Sequence, residues 1–138
     1  MKLPLPEPIK LYGDPDFRGD CPLENAELIT FIHHMNIHYR DIPVLHIKNE
    51  GKRTYRQSLF DRAIGALHTG ACDIIIPGSP GFCLEIKRQD HTKSNITEDQ
   101  INFLLNSNNM GAFVCVALGH KAAIDAFLDW KQNHVNTN

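Results

Sequence analysis

Asp73, Glu85 and Lys87 are ionisable residues set in apolar company, within the stretch CDIIIPGSPGFCLEIK that spans residues 72–87. Two apolar runs flank Pro77-Gly78-Ser79-Pro80-Gly81, a composition that demands a turn. The runs therefore read as a β-hairpin. Alternation along the second strand puts Glu85 and Lys87 on one face, and the turn returns Asp73 across from them. Two carboxylates and an ammonium then meet on one sheet face. Buried charge is costly unless it is paired or bound to metal. Paired hard oxygen ligands suit Mg²⁺ or Mn²⁺. Such an ion polarises a phosphodiester and acidifies water, while the lysine stabilises developing negative charge. A buried salt bridge between Lys87 and either carboxylate accounts for the same three residues, so the spacing alone leaves both readings open.

The elements that must carry this hairpin follow from pattern. Residues 1–22 (PLPEP, GDPDFRGD) are rich in Pro, Gly and Asp and read as an extended arm. After Pro22, apolar positions Leu23, Ala26, Ile29/Thr30 and Ile32/Phe31 suit an amphipathic helix from about 23 to 37. IPVLHIKNEG reads as a strand closed by a turn. Residues 52–69 form a predicted helix that Gly70 terminates. Thr97 can N-cap a helix to about residue 107, with Glu98 and Asp99 in its first turn. Gly111 opens the apolar strand AFVCVAL, and HKAAIDAFLDWKQ reads as a closing amphipathic helix. The order is α-β-α-β-β-α-β-α. The expected organisation is an arm over 1–22, one domain over 23–132 and a flexible tail over 133–138.

The chain has 138 residues, 42% hydrophobic and 22% charged, which suits one globular domain with a real core. No apolar run reaches the roughly 18 residues of a membrane helix, and the first ten residues lack a signal-peptide stretch. A cytoplasmic protein is expected, in the host cell if the chain is phage-encoded. Fourteen Lys and Arg against sixteen Asp and Glu exclude a strongly basic coat protein, but not an enzyme with local basic patches. Cys21, Cys72, Cys83 and Cys115 form no CxxC pair, and the last three read as small buried hydrophobes. His34 and His38 are spaced i, i+4 on a helix, but no Cys pair or HExxH accompanies them, which argues against zinc. His46 is either a site-facing residue or a hydrogen-bonded strand histidine. Tyr55 is read as a core residue, with base stacking as the alternative.

Four motifs in order resemble one known family. They are Asn49-Glu50-Gly51, Gly70-Ala71-Cys72-Asp73, Leu84-Glu85-Ile86-Lys87 and Thr97-x-x-Gln100. Over about residues 24–118 the chain resembles the VRR-NUC branch of the PD-(D/E)XK nucleases. The resemblance implies a restriction-endonuclease-like α/β core, a mixed sheet of about four strands flanked by helices. It implies that Asp73, Glu85 and the carbonyl of Ile86 hold Mg²⁺ or Mn²⁺, that Lys87 assists the attacking water, and that Gln100 helps place phosphate or water. A first-helix acid completes such sites, with Glu24 the first choice and Glu27 the second. Glu50 lines the site or holds the turn. One departure stands out, since the family usually has Pro where this chain has Cys72, and a thiol there would allow inhibition by oxidation or soft metals. Lys48, Lys52, Arg53 and Arg56 before the hairpin, and Arg88 and Lys93 after it, are candidate phosphate contacts, with a solvated face as the bland alternative.

The expected function is Mg²⁺-dependent hydrolysis of DNA phosphodiesters, as a homodimer resembling Holliday-junction resolvases. A symmetric dimer presents two sites, which suits paired nicks on a four-way junction. The arm and first helix are candidate dimer elements. Alternatives are a flap or nicking nuclease of phage or mobile-element origin with a partner, a non-cleaving branched-DNA-binding module, or a structural protein with a buried ion pair.

Overall fold

The structure, a computed structural model, describes residues 1–47, 55–63 and 70–136. Its elements are β1 (Lys10–Tyr12), α1 (Glu24–His38), β2 (Leu45–His46), α2 (Tyr55–Ala63), β3 (Ile74–Ile76), β4 (Phe82–Lys87), α3 (Glu98–Asn109), β5 (Phe113–Leu118) and α4 (His120–Asp129). A 3₁₀ turn covers His91–Lys93 and a π turn covers Trp130–His134. Among the described residues five strands form one mixed sheet in the order β1-β5-β4-β3-β2. β1, β5 and β4 run parallel, while β3 and β2 are antiparallel to their neighbours. No helix of the described residues is long and apolar enough to cross a membrane.

Every residue of β4 and of β5 is buried, as expected for strands covered on both faces. On one face Ile74, Ile76, Phe82, Leu84, Ile86, Cys115 and Ala117 pack against α1 and α4. On the other, Cys83, Val114 and Val116 pack against Leu104 of α3. The central strand is thus held by helices from both sides.

The frame departs from the sequence expectation in the arm, in α1, before Leu45 and in the tail. The arm supplies β1, a fifth strand that pairs with β5 and belongs to the chain's own sheet. Tyr12 in that strand donates its hydroxyl to Asp129 of α4. The buried stripe of α1 is Glu27, Leu28, Phe31 and Met35 rather than the predicted Leu23 and Ile29, both well exposed. Apolar residues lie all round this helix, so periodicity admits two faces and only packing chooses. The predicted strand over 42–51 contributes Leu45–His46, and the predicted helix over 52–69 contributes Tyr55–Ala63; residues 48–54 and 64–69 lie outside the described residues. The tail is partly built in. Trp130 donates its ring N–H to Pro80, and the Asn136 amide reaches Ser79, tying the chain's end to the hairpin turn.

Gly119 joins β5 to α4 at φ +92°, ψ 169°, a region that is nearly glycine's alone. A Cβ there would stand 2.7 Å from both the Glu27 carboxylate and the Gln89 side chain. Gly119→Ala is therefore expected to cost about 1–3 kcal/mol, read as a lower urea midpoint with an unchanged slope.

Candidate active site

The register Ile74↔Leu84 carries one step further to set Asp73 opposite Glu85. Strand alternation then puts Cys83, Glu85 and Lys87 on the face that α3 covers. Glu85 and Lys87 are each only 3% exposed. Their side chains lie 3.5 Å apart, Lys87 Nζ to Glu85 Oε1. Asp73 Oδ2 accepts the Ile86 backbone N–H at 2.9 Å, which pins the carboxyl against the strand.

Gln100 closes the group from α3. Its Oε1 accepts from Lys87 Nζ at 3.2 Å, and its Nε2 donates to Glu85 Oε1 at 3.0 Å. Gln100 is also the third residue of α3 and completes a capping box with Thr97. Thr97 Oγ1 accepts the Gln100 N–H, and Gln100 Oε1 accepts the Thr97 N–H. One carboxamide therefore starts the helix and bridges the buried pair. A glutamate would satisfy the cap but could not donate to Glu85.

Glu24 enters from the first turn of α1. Its Oε1 is 3.9 Å from Lys87 Nζ and accepts the Ser94 hydroxyl at 2.8 Å. Glu24 and Glu85 thus flank one ammonium, whose charge also acts on the Asp73 carboxyl. Burial pushes the Glu85 carboxyl well up from the ordinary glutamate range, reinforced by Asp73 and opposed by Lys87. Burial likewise raises Asp73, against the Ile86 N–H and Lys87, which lower it.

The salt bridge expected as the bland alternative is present, and it leaves something over. Glu85 Oε2 is buried and has no hydrogen-bond partner. An orphaned carboxylate oxygen beside a second carboxyl, where negative charge exceeds positive, fits a hard divalent cation. Among the described residues no three His, Cys, Asp or Glu side chains group as a ready-made metal cage. Mg²⁺ does not require one, since it keeps several waters and takes one or two carboxylates. Asp73 and Glu85 would hold it, with Glu24 and the Ile86 carbonyl as the further oxygens at the site's margin.

No protein-family model and no curated protein matches this chain. A solved structure of a VRR_NUC domain protein does, with a TM-score of 0.60 at 20% identity, over 80% of this chain and 89% of that one. The chain has a VRR-NUC-like fold.

Within this VRR-NUC-like fold the remaining candidates are distributed unevenly. Glu27 is buried but turned away from the group, because Gln89 Nε2 donates to its Oε1 and the His120 amide to its Oε2. His120 Nδ1 lies 3.2 Å from the same oxygen. Glu27 thus caps α4, and a capping carboxylate at a helix N-terminus is favoured by the dipole. The second-choice acid is a structural tie. Arg88 does not reach outward, since its guanidinium donates to the carbonyls of Cys21 and Pro22. Lys93 donates to Gly19 at 2.9 Å. Arg56 stands on α2. Tyr55 is 79% exposed rather than in the core. His46 is exposed on β2 and helps draw the Asp73 carboxyl down. Glu50, Lys48, Lys52 and Arg53 lie outside the described residues. The thiol of Cys72 is buried, and hydrogen bonding with Cys83 together with burial pushes its pKa up. That favours the unreactive protonated form. Sequence reasoning missed Ser94, because a lone serine in a polar loop carries no motif.

Carboxyls raised by burial stabilise the metal-free fold fully below the ordinary carboxylate range and lose that contribution as pH rises through their raised values. In EDTA the melting temperature should therefore fall as pH rises above the ordinary carboxylate range. Glu85→Gln should flatten that slope. An unchanged slope in the variant would show that Glu85 does not titrate from a buried position.

Proposed function

We propose that this chain is a Mg²⁺-dependent, structure-specific DNA endonuclease that works as a homodimer resembling Holliday-junction resolvases. The observation that carries the metal-dependent part is the unpartnered, buried Glu85 Oε2 beside Asp73, with Lys87 and Gln100 already bonded around it. The likeness to a VRR_NUC domain protein supports phosphodiesters as the substrate class.

When bound, Mg²⁺ would supply polarisation of the phosphodiester and neutralise charge. The chain's own residues do the rest. Lys87 stands at the edge of the carboxyl group with Glu24, Glu85 and Gln100 around it, and offers a fixed N–H donor to negative charge developing on phosphate oxygen. Gln100 holds Lys87 and Glu85 in register, so neither reorganises during reaction. Asp73, braced by the Ile86 N–H, presents its carboxyl without rotamer freedom. The β4 strand excludes water behind the site, because its other face is packed on α1 and α4.

The dimeric part of the reading draws on Tyr55, Leu59 and Phe60 of α2, which are exposed and make an apolar patch of the kind used at interfaces.

The test is cleavage of a labelled four-way junction beside linear duplex, flap and single strand, with Mg²⁺, Mn²⁺ or EDTA. Low salt is appropriate, because a net charge of −2 gives modest, salt-sensitive DNA affinity. Paired, metal-dependent nicks in the junction are expected, with Lys87→Ala slower by about 10²–10³-fold. Preferential cutting of flap or duplex would keep the nuclease and discard the resolvase. Absence of cutting on every substrate would overturn the proposal.

A further inference from the structure

Ser94 links the strand bearing Glu85 and Lys87 to the helix bearing Glu24. It is 5% exposed and follows the 3₁₀ turn His91–Lys93. Its Oγ accepts the Arg88 backbone N–H at 3.0 Å, immediately after Lys87 in the chain. The same hydroxyl donates to Glu24 Oε1 at 2.8 Å. A serine hydroxyl has a single hydrogen. With the Arg88 N–H occupying an acceptor position, that hydrogen is committed to Glu24. The direction of the Glu24 carboxylate is thereby set by the backbone of the catalytic-candidate strand.

Glu24 needs such a fix. Its side chain is 39% exposed, and a long carboxylate at a helix start samples many rotamers unless held. α1 itself gives little help, because its N-cap residue is Leu23, which makes no side-chain capping bond. The same 88–94 segment clasps the backbone that leads into α1. Arg88 bonds the carbonyls of Cys21 and Pro22, Lys93 bonds that of Gly19, and Asp90 accepts the Gly19 N–H. The clasp fixes the backbone entering the helix, and Ser94 fixes the side chain.

We infer that Ser94 is a positioning residue for the metal site, setting divalent-cation affinity through Glu24. The inference rests on the metal-dependent reading above and adds a residue to it. Hydrogen-bond partners of metal-site carboxylates carry about 10–100-fold in affinity.

The test is calorimetric titration of the full chain with Mn²⁺, on wild type, Ser94→Ala, Glu24→Gln and the double variant, with thermal unfolding of each in EDTA. Ser94→Ala is expected to weaken Mn²⁺ binding about tenfold or more. In the Glu24→Gln background the same substitution should change affinity less than about twofold, because the group it acts through is gone. An equal loss in both backgrounds would show a general structural effect and overturn the inference. So would an unchanged affinity in Ser94→Ala while wild type still binds Mn²⁺ through Asp73 and Glu85, and the metal-dependent reading would then stand. Absence of Mn²⁺ binding by well-folded wild type would overturn both.

Discussion

Glu85 and Lys87 sit on the central strand of the sheet with almost no contact with solvent, and charge placed there must be answered by protein groups. Much of the site's architecture follows from that demand. The two answer each other in part. Gln100 then offers an acceptor to the ammonium and a donor to the carboxylate, Asp73 comes across the hairpin, and Glu24 comes from the opposite helical layer. The arrangement stops one partner short, at Glu85 Oε2. In a purely structural ion-pair cluster, that deficit is costly without return. In a site built to receive a divalent cation it is the point of attachment.

The topology explains why groups from both faces of the sheet can meet. β4 and β5 run parallel and end together, at Lys87 and Leu118. Among the described residues no strand separates the two helical layers beyond that end, so the first turn of α1 can reach round to Lys87. Its docking is secured one turn later, where Glu27 caps α4 and sits against Gly119. A side chain at position 119 would push Glu27 away and with it the helix that carries Glu24. The residues that read as a Pro- and Gly-rich arm complete this end of the molecule, as an edge strand on β5 and as the backbone gripped by Arg88 and Lys93. Arg88 and Lys93 each direct hydrogen bonds at that backbone, so they serve the shape of the site.

What could be read from residue order was local. The Pro-Gly-Ser-Pro-Gly turn forces a hairpin, alternation puts Glu85 and Lys87 on one face, and equal arms bring Asp73 opposite. Thr97 and Gln100 carry a capping signature whose physics is confined to four residues. The burial of Cys72, Cys83 and Cys115 follows from the apolar runs that contain them. In each case the deciding interaction lies within a few residues or across one tight turn.

Contacts between distant segments were settled only in three dimensions. Nothing in positions 24 and 27 says which glutamate faces Lys87, because the two lie on nearly the same side of one helix; the packing of α1 against β4 and α4 decides it. The arm's pairing with β5 joins residues about a hundred positions apart, with only three strand residues and no alternation to announce it. Ser94 gains its place solely because the 88–94 segment folds back between β4 and α1. Short-range chemistry was therefore written in the order of the residues. The choice among equally amphipathic faces, and the meeting of groups from separate layers, came from burying those faces together.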